Sequence, residues 1–364
     1  MNESKGSGKP WEPAQTSGVI VLGLLFLRWF LASDGWQNSP AGEYWYVLLL
    51  LGFSLVLYLF DRSAWTQLPN KIFFFALLAA WLALFQFLGN STLGYVHSSS
   101  LFAWMHDAYR SHNNADNDDA HGKLIPFLVM GLFWWKRKEL LASSFRLWWP
   151  GLLFLAGGVM LHVLGYVLQQ PRLSIVALFA GIYGLMGLAW GWDWLRRSTF
   201  PFFLFVFSIP MGSQAQFITV PLQVLVSWLV GVVAHGLGIG VVQDGVRLID
   251  PTGTYQYEVA AACSGMRSLL TIFLLATCYS FIVFRTMLKR IIMIVLAVPF
   301  AVLGNLLRLL FIVIAAELGG QEWGSYVHEN WIFSLIPYLP AFIGVFWVGS
   351  VMERRWQPDR KQAS

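Results

Sequence analysis

The sequence predicts an all-α fold: a polytopic integral membrane helix bundle of about ten transmembrane helices, both termini in the cytoplasm. Three observations carry that reading. The chain is 57% hydrophobic and only 12% charged, about half the charge of an average soluble domain. Its apolar residues come in blocks long enough to cross a bilayer. Its basic residues gather in alternate connecting segments, as the positive-inside rule requires.

Residues 1–16 are a polar tail with Gly and Pro. The apolar block that follows has no cleavage-site pattern before it, so it reads as a signal anchor and not as a removed signal peptide. Apolar blocks lie near 17–33, 44–60, 71–89, 124–135, 147–168, 173–194, 215–236, 264–284, 290–316 and 331–351. The block TFPFFLFVFSIPMG, 199–212, is short and bracketed by prolines. It is expected to be a re-entrant or interfacial piece. The organisation expected is a tail (1–16), N-terminal helices with an outer polar loop (17–119), a membrane core (120–351) and a basic cytoplasmic tail (352–364).

Labelling the connecting segments alternately separates the charges. One set holds Arg62, Lys136, Arg137, Lys138, Arg196, Arg197, Arg285, Lys289, Arg290, Arg354 and Arg355, among others. The other holds only Arg110, Lys123, Arg172 and Arg247, while Arg28, Arg267 and Arg308 fall within spans. The first set marks the cytoplasmic side. The second side carries His97, His106, His112, His121 and His328 with most of the acidic residues, so the titratable side faces outward. The net charge of +5 is explained by topology; no basic–aromatic interleaving points to nucleic acid. The two cysteines, Cys263 and Cys278, stand 15 residues apart. On one helix that is about 22 Å, too far for a disulfide. Cys278, inside an apolar helix, reads as packing.

Three outer-side residues form a chemical set. YEVAAACSGMRSLL, 257–270, places Cys263 where a polar segment meets an apolar helix. A helix N-terminus and a nearby cation both favour thiolate. Arg267 lies four residues on, and Gly265 and Ala262 keep the neighbourhood small. Arg308, in GNLLRLLFIV, lies about nine residues, roughly 13 Å, from the outer end of its span. A charge at that depth is costly and is usually functional. Asn305 stands one turn earlier. His328, in YVHENWIFSLIP, precedes the last apolar block. A thiol, an imidazole and a guanidinium are what a cysteine acyl-transfer enzyme needs. Each also has an ordinary reading: packing for the Cys, snorkelling for the Arg, solvation for the His.

These residues resemble the motifs of the exosortase/archaeosortase family. VAAACSGMRSLL resembles its cysteine motif, NLLR with Arg308 its arginine motif, and His328 before an aromatic apolar stretch its histidine motif. AHGKLIPFLVMGLFWWKRKEL (120–140), FPFFLFVFSIPMGSQAQFITVPLQVLVSWLV (200–230) and GVVQDGVRLI (240–249) resemble its upstream segments. The likeness covers roughly 120–350. One departure is Asn330 before Trp331, where the family commonly has Gly-Trp after the His.

The resemblance implies a sortase-like cysteine transpeptidase of a bacterial cytoplasmic membrane, with its active site near the outer leaflet. Its substrates would be secreted proteins with a C-terminal sorting signal: a Pro-Glu-Pro-like motif, an apolar helix and a basic cluster. Cys263 would be the nucleophile, Arg308 the oxyanion stabiliser and His328 the acid/base. Asn305, Arg267, His121, Ser264 and Gly265 would support the site or bind substrate. The acceptor would be an amine or a surface polymer or lipid, and the chemistry needs no metal or organic cofactor. Two other readings stand beside it. One is a membrane acyl- or glycosyltransferase centred on His121. The other is a transporter lined by Arg28, Arg267 and Arg308. His97, His106, His112 and His121 do not have the spacing of a compact zinc site.

Overall fold

The computed structural model describes residues 42–110, 119–211, 214, 216–251, 256–258, 266–330, 333 and 336–355. The expected span at 17–33, with Arg28, lies outside them. The described chain separates into two compact units. Residues 42–110 and 122–210 form the first; 119–121 and the described residues from 211 onward form the second. The segment 120–351 therefore contributes to both.

The first unit holds α1 (Gly42–Phe60), α2 (Arg62–Gln67), α3 (Lys71–Leu88), α4 (Leu101–Ala108), α5 (Ile125–Trp135), α6 (Arg137–Leu141), α7 (Gly151–Val167), α8 (Pro171–Trp190) and α9 (Trp192–Phe203). A 3₁₀ turn, Leu204–Ser208, extends α9. α3 and α8 are long and apolar enough to cross a membrane, and α1 and α7 are shorter apolar helices.

Side-chain rungs fix the direction of each helix. Tyr46 Oη donates to the Lys123 carbonyl at 2.9 Å, Ser54 Oγ approaches Met130 Sδ at 3.2 Å, and Arg137 Nε donates to Asp61 Oδ2 at 2.7 Å. α1 and the chain through α5 and α6 therefore run parallel over the same height. Residues 123–137, which include the short block 124–135, thus match the stretch from Tyr46 to Asp61 in extent.

α7 and α8 form an antiparallel hairpin. Gly151 and Gly184 face each other so closely that a Cβ on either would come within 2.6 Å of the other's carbonyl oxygen. Small residues at such contacts let membrane helices approach. Buried His162 joins this hairpin to α3, donating from Nε2 to the Leu88 carbonyl (3.1 Å) and accepting at Nδ1 from Ser174 Oγ (3.0 Å).

The ends of these helices gather at two faces. Asp61, Arg137, Lys136 with the Arg197 carbonyl (2.9 Å), and Asn70 with the Ala189 carbonyl (3.0 Å) mark the basic face. Tyr95 with Gln169, Tyr109 with the Ser208 carbonyl, and Arg172 Nε with the Pro210 carbonyl (2.6 Å) mark the opposite one. There His106 is half-buried beside Lys123 and Arg110. Burial first, then those two cations, push its pKa down to about 4.

This arrangement corrects one expectation. Trp190 stacks near Trp194, Tyr183 near Phe202, Phe179 on Phe205, and Arg172 reaches Pro210. Residues 192–210 therefore run antiparallel along the whole of α8, from the basic face to the opposite one. Twelve α-helical and five 3₁₀ residues rise roughly 28 Å, close to the hydrocarbon thickness of about 30 Å. Residues 199–210 are the second half of a traverse of this unit, not a re-entrant loop. Pro201 is what disguised it as a break.

The second unit holds α10 (Gln216–Gly236), a three-stranded meander of β1 (Val242–Asp244), β2 (Arg247–Ile249) and β3 (Gln256–Glu258), then α11 (Met266–Val283), α12 (Met287–Glu329) and α13 (Leu339–Arg355). The strands are antiparallel, in the order β1-β2-β3. They are an addition to the all-α expectation. Gly245 and Val246 form the two-residue turn between paired Asp244 and Arg247, with Gly245 at φ +61°.

α12 and the segment Ile336–Arg354 pass the length and apolarity test for a span; α10 and α11 contain shorter apolar helices. Two cores flank α12. Val226, Val230, Val241 and Leu248 pack with Leu309, Ile312 and Val313; Ile272, Ala276, Tyr338, Ala341 and Val345 pack with Met293, Ala297 and Ala301.

Candidate functional site

Cys263, Ser264 and Gly265 lie outside the described residues. β3 ends at Glu258, and α11 begins at Met266. Arg267 stands in the first turn of α11, the end where a helix dipole favours an anion.

Arg308 and Asn305 share α12, where the two cores meet. Arg308 is half-buried, with its Nε shielded from solvent. Asn305 retains only 3% of its exposure, and its Oδ1 accepts from Tyr338 Oη at 3.4 Å. A membrane helix can carry an amide at such a place because a hydroxyl from the next element meets it. Gly304 makes room for that tyrosine.

His328 is also on α12. The sequence suggested a loop position before the last span; the structure places it near the end of a 43-residue helix. Unbroken, that helix would measure about 64 Å, and Arg308 and His328 would be about 30 Å apart. No single carbonyl could reach both. The helix is broken between them, at Gly319 (φ −138°, ψ 16°) and Gly320 (φ +73°, ψ −171°). Gly320 occupies a region that essentially only glycine adopts. The arm 321–329, carrying half-buried His328, therefore follows a second axis, and Val327 on it packs into the core that holds Leu309 and Ile312.

His121 is half-buried in the 3₁₀ turn Asp119–Leu124. It groups with the second unit although it precedes the rest of that unit by about ninety residues of chain. Beside it, Asp119 is 4% exposed, and its Oδ1 accepts from the Met211 backbone N–H at 3.1 Å. Asp119 thus pins the start of the segment leading to α10, a role sequence reasoning missed; its place next to His121 was the available signal. The second unit therefore collects His121, Arg267, Asn305, Arg308 and His328. Among the described residues, no group of three or more His, Cys, Asp or Glu side chains could hold a metal ion.

Among the described residues, four helices long and apolar enough to cross a membrane define a multi-pass membrane protein, and its second unit carries Asn305, Arg308 and His328 on one broken helix. The chain belongs to the transmembrane exosortase family, whose sequence model matches residues 111–345. Membership supports a membrane transpeptidase-type function, of the cysteine transpeptidase or protease kind. No curated protein and no solved structure matches the chain.

Proposed function

We propose that the protein is a cysteine transpeptidase that cleaves a C-terminal sorting signal from secreted proteins at the outer face of a bacterial cytoplasmic membrane. The family match carries this reading, because residues 111–345 contain Cys263, Arg308 and His328 together. The break in α12 supports it, since the arginine and histidine cannot serve one reaction on a straight helix.

Cys263 attacks the scissile carbonyl as a thiolate. Arg308 holds the oxyanion of the tetrahedral intermediate. His328 delivers a proton to the departing amine, leaving a thioester on Cys263. An acceptor amine, on a polymer or a lipid, then attacks the thioester. His328 removes its proton, and the thiolate returns. Asn305 and His121 support the site; Arg267, Ser264 and Gly265 surround the nucleophile. The sorting signal itself, a Pro-Glu-Pro-like motif followed by an apolar helix and a basic cluster, spans the bilayer with its basic end inside.

The topology proposed keeps ten crossings and both termini in the cytoplasm. Arg247 and the Cys263 segment then stay outside, while Arg285, Lys289, Arg290, Arg354 and Arg355 stay inside.

The test is Cys263→Ala in the native cell, following secreted proteins that carry a C-terminal helix and basic tail. Uncleaved, membrane-bound substrates with the variant still inserted support the proposal. Continued processing refutes it and brings forward a transferase centred on His121.

A further inference from the structure

We propose that Gln321 is a positioning residue that ties the strand leading to the nucleophile to the helical arm carrying the general acid/base. The inference rests on the assignment of Cys263 and His328 above. Gln321 is the first residue after the Gly319–Gly320 break. Its Oε1 accepts from the Gln256 backbone N–H at 3.1 Å, and its Nε2 donates to the Gln256 carbonyl at 3.5 Å. A carboxamide carries a donor and an acceptor side by side, as a peptide group does. Gln321 thus closes the outer edge of β3 as a neighbouring strand would, using one side chain.

Two spacings give the clasp its consequence. Gln256 stands seven residues before Cys263, and Gln321 seven residues before His328. On a helix, seven residues return to the same face within about 20°. The face of the arm that meets β3 is therefore the face that carries His328, about 10 Å further along. β3 itself is fixed to β2 by the pairing of Gln256 with Ile249 and Tyr257 with Leu248, and Leu248 is wholly buried. The arm leaves the axis of α12 at the break, and further along it is held by Val327, which packs into the core of Leu248 and Leu309. Fixing its first residue to the strand helps set where His328 falls relative to β3, the strand that leads in sequence to Cys263. Gln321 is exposed, so its removal opens no cavity.

The test uses the full-length protein in a Cys278→Ala background, where Cys263 is the single thiol. Its alkylation by iodoacetamide is followed against pH. A nearby imidazolium lowers a thiol's pKa, so His328→Ala raises the midpoint and slows the reaction at pH 7. Gln321→Ala does the same, by about threefold or more. Gln321→Glu keeps the acceptor for the Gln256 N–H but sets a second acceptor against its carbonyl, so it shifts in the same direction as Gln321→Ala. In the double variant, Gln321→Ala adds nothing to His328→Ala, because it acts through that residue. An unchanged profile in Gln321→Ala, with a shifted one in His328→Ala, overturns the inference and leaves the transpeptidase reading intact. An unchanged profile in His328→Ala removes the Cys–His pairing itself. Additive effects in the double variant also overturn the inference, since they show Gln321 acting elsewhere.

Discussion

Replacing Gly320 by alanine isolates the break in α12 from every other feature of the unit. A Cβ at Gly320 meets nothing within 4 Å, so the substitution introduces no collision. Its whole cost is the backbone at φ +73°, ψ −171°. Holding a non-glycine residue there costs about 1–3 kcal/mol. Against any arrangement without that conformation, the broken form becomes about 5- to 150-fold less populated. The pull toward regular helix separates His328 from Arg308 by up to about 30 Å. Gly320→Ala therefore lowers substrate processing by at least about fivefold, with the protein still inserted and folded. The assay is the rate of sorting-signal cleavage in membranes, alongside thermal unfolding in detergent. Gly319→Ala serves as the control. Its φ of −138° suits any residue, and its Cβ would collide with Trp323 Cγ, so this control asks the exposed indole to change rotamer while leaving Gly320 its freedom. Full processing by Gly320→Ala, with normal stability, would show that the break does not set the position of His328.

Further outcomes follow from the packing and charges described. Gly304→Ala places a Cβ 2.5 Å from Tyr338 Cδ1, displaces the partner of Asn305 and costs about 1–3 kcal/mol; a lowered unfolding temperature together with lowered turnover is the expected result. Arg308→Lys keeps the charge and loses the planar fork, so turnover falls by about 100-fold while Cys263 remains alkylatable. In the first unit, His106 is held neutral by a pKa of about 4 against an ordinary value of 6.5. The unfolded chain therefore binds the extra proton first. Stability contributed at neutral pH is lost as pH falls from about 6.5 through about 4. His106→Gln flattens that part of the unfolding profile, with Asp107, Arg110 and Lys123 unchanged.

The helical blocks of the first unit were legible because hydrophobic runs and basic ends are strong signals in a bilayer: 71–89 and 173–194 became α3 and α8 with little change. The traverse at 192–210 was not, because Pro201 and a 3₁₀ ending hide a helix whose partner, α8, is a tertiary fact. The β-meander was missed although Asp244–Gly245 between Val and Ile residues is a hairpin signal; three-residue strands are too short for a periodic pattern to stand out. His162 gave no signal, since the Leu88 carbonyl and Ser174 that hold it are distant in sequence. Arg308, Asn305 and His328 were singled out from depth and order along the chain. That the last lies on an arm of the same helix depends on Gly319–Gly320, two glycines that local sequence does not distinguish from a loop. The place of Cys263 in the structure lies outside the described residues, so its role rests on its motif and on the family.

The most direct measurement is the intact mass of the full-length enzyme, isolated from cells making its secreted substrates and quenched at low pH. The account predicts a fraction carrying a substrate fragment on Cys263 through a thioester. That adduct is released by neutral hydroxylamine, is absent from Cys263→Ala, and accumulates when the acceptor is depleted. Processed substrate with no adduct on Cys263 under any quench, or an adduct that survives in Cys263→Ala, would contradict the proposal that this thiol is the nucleophile.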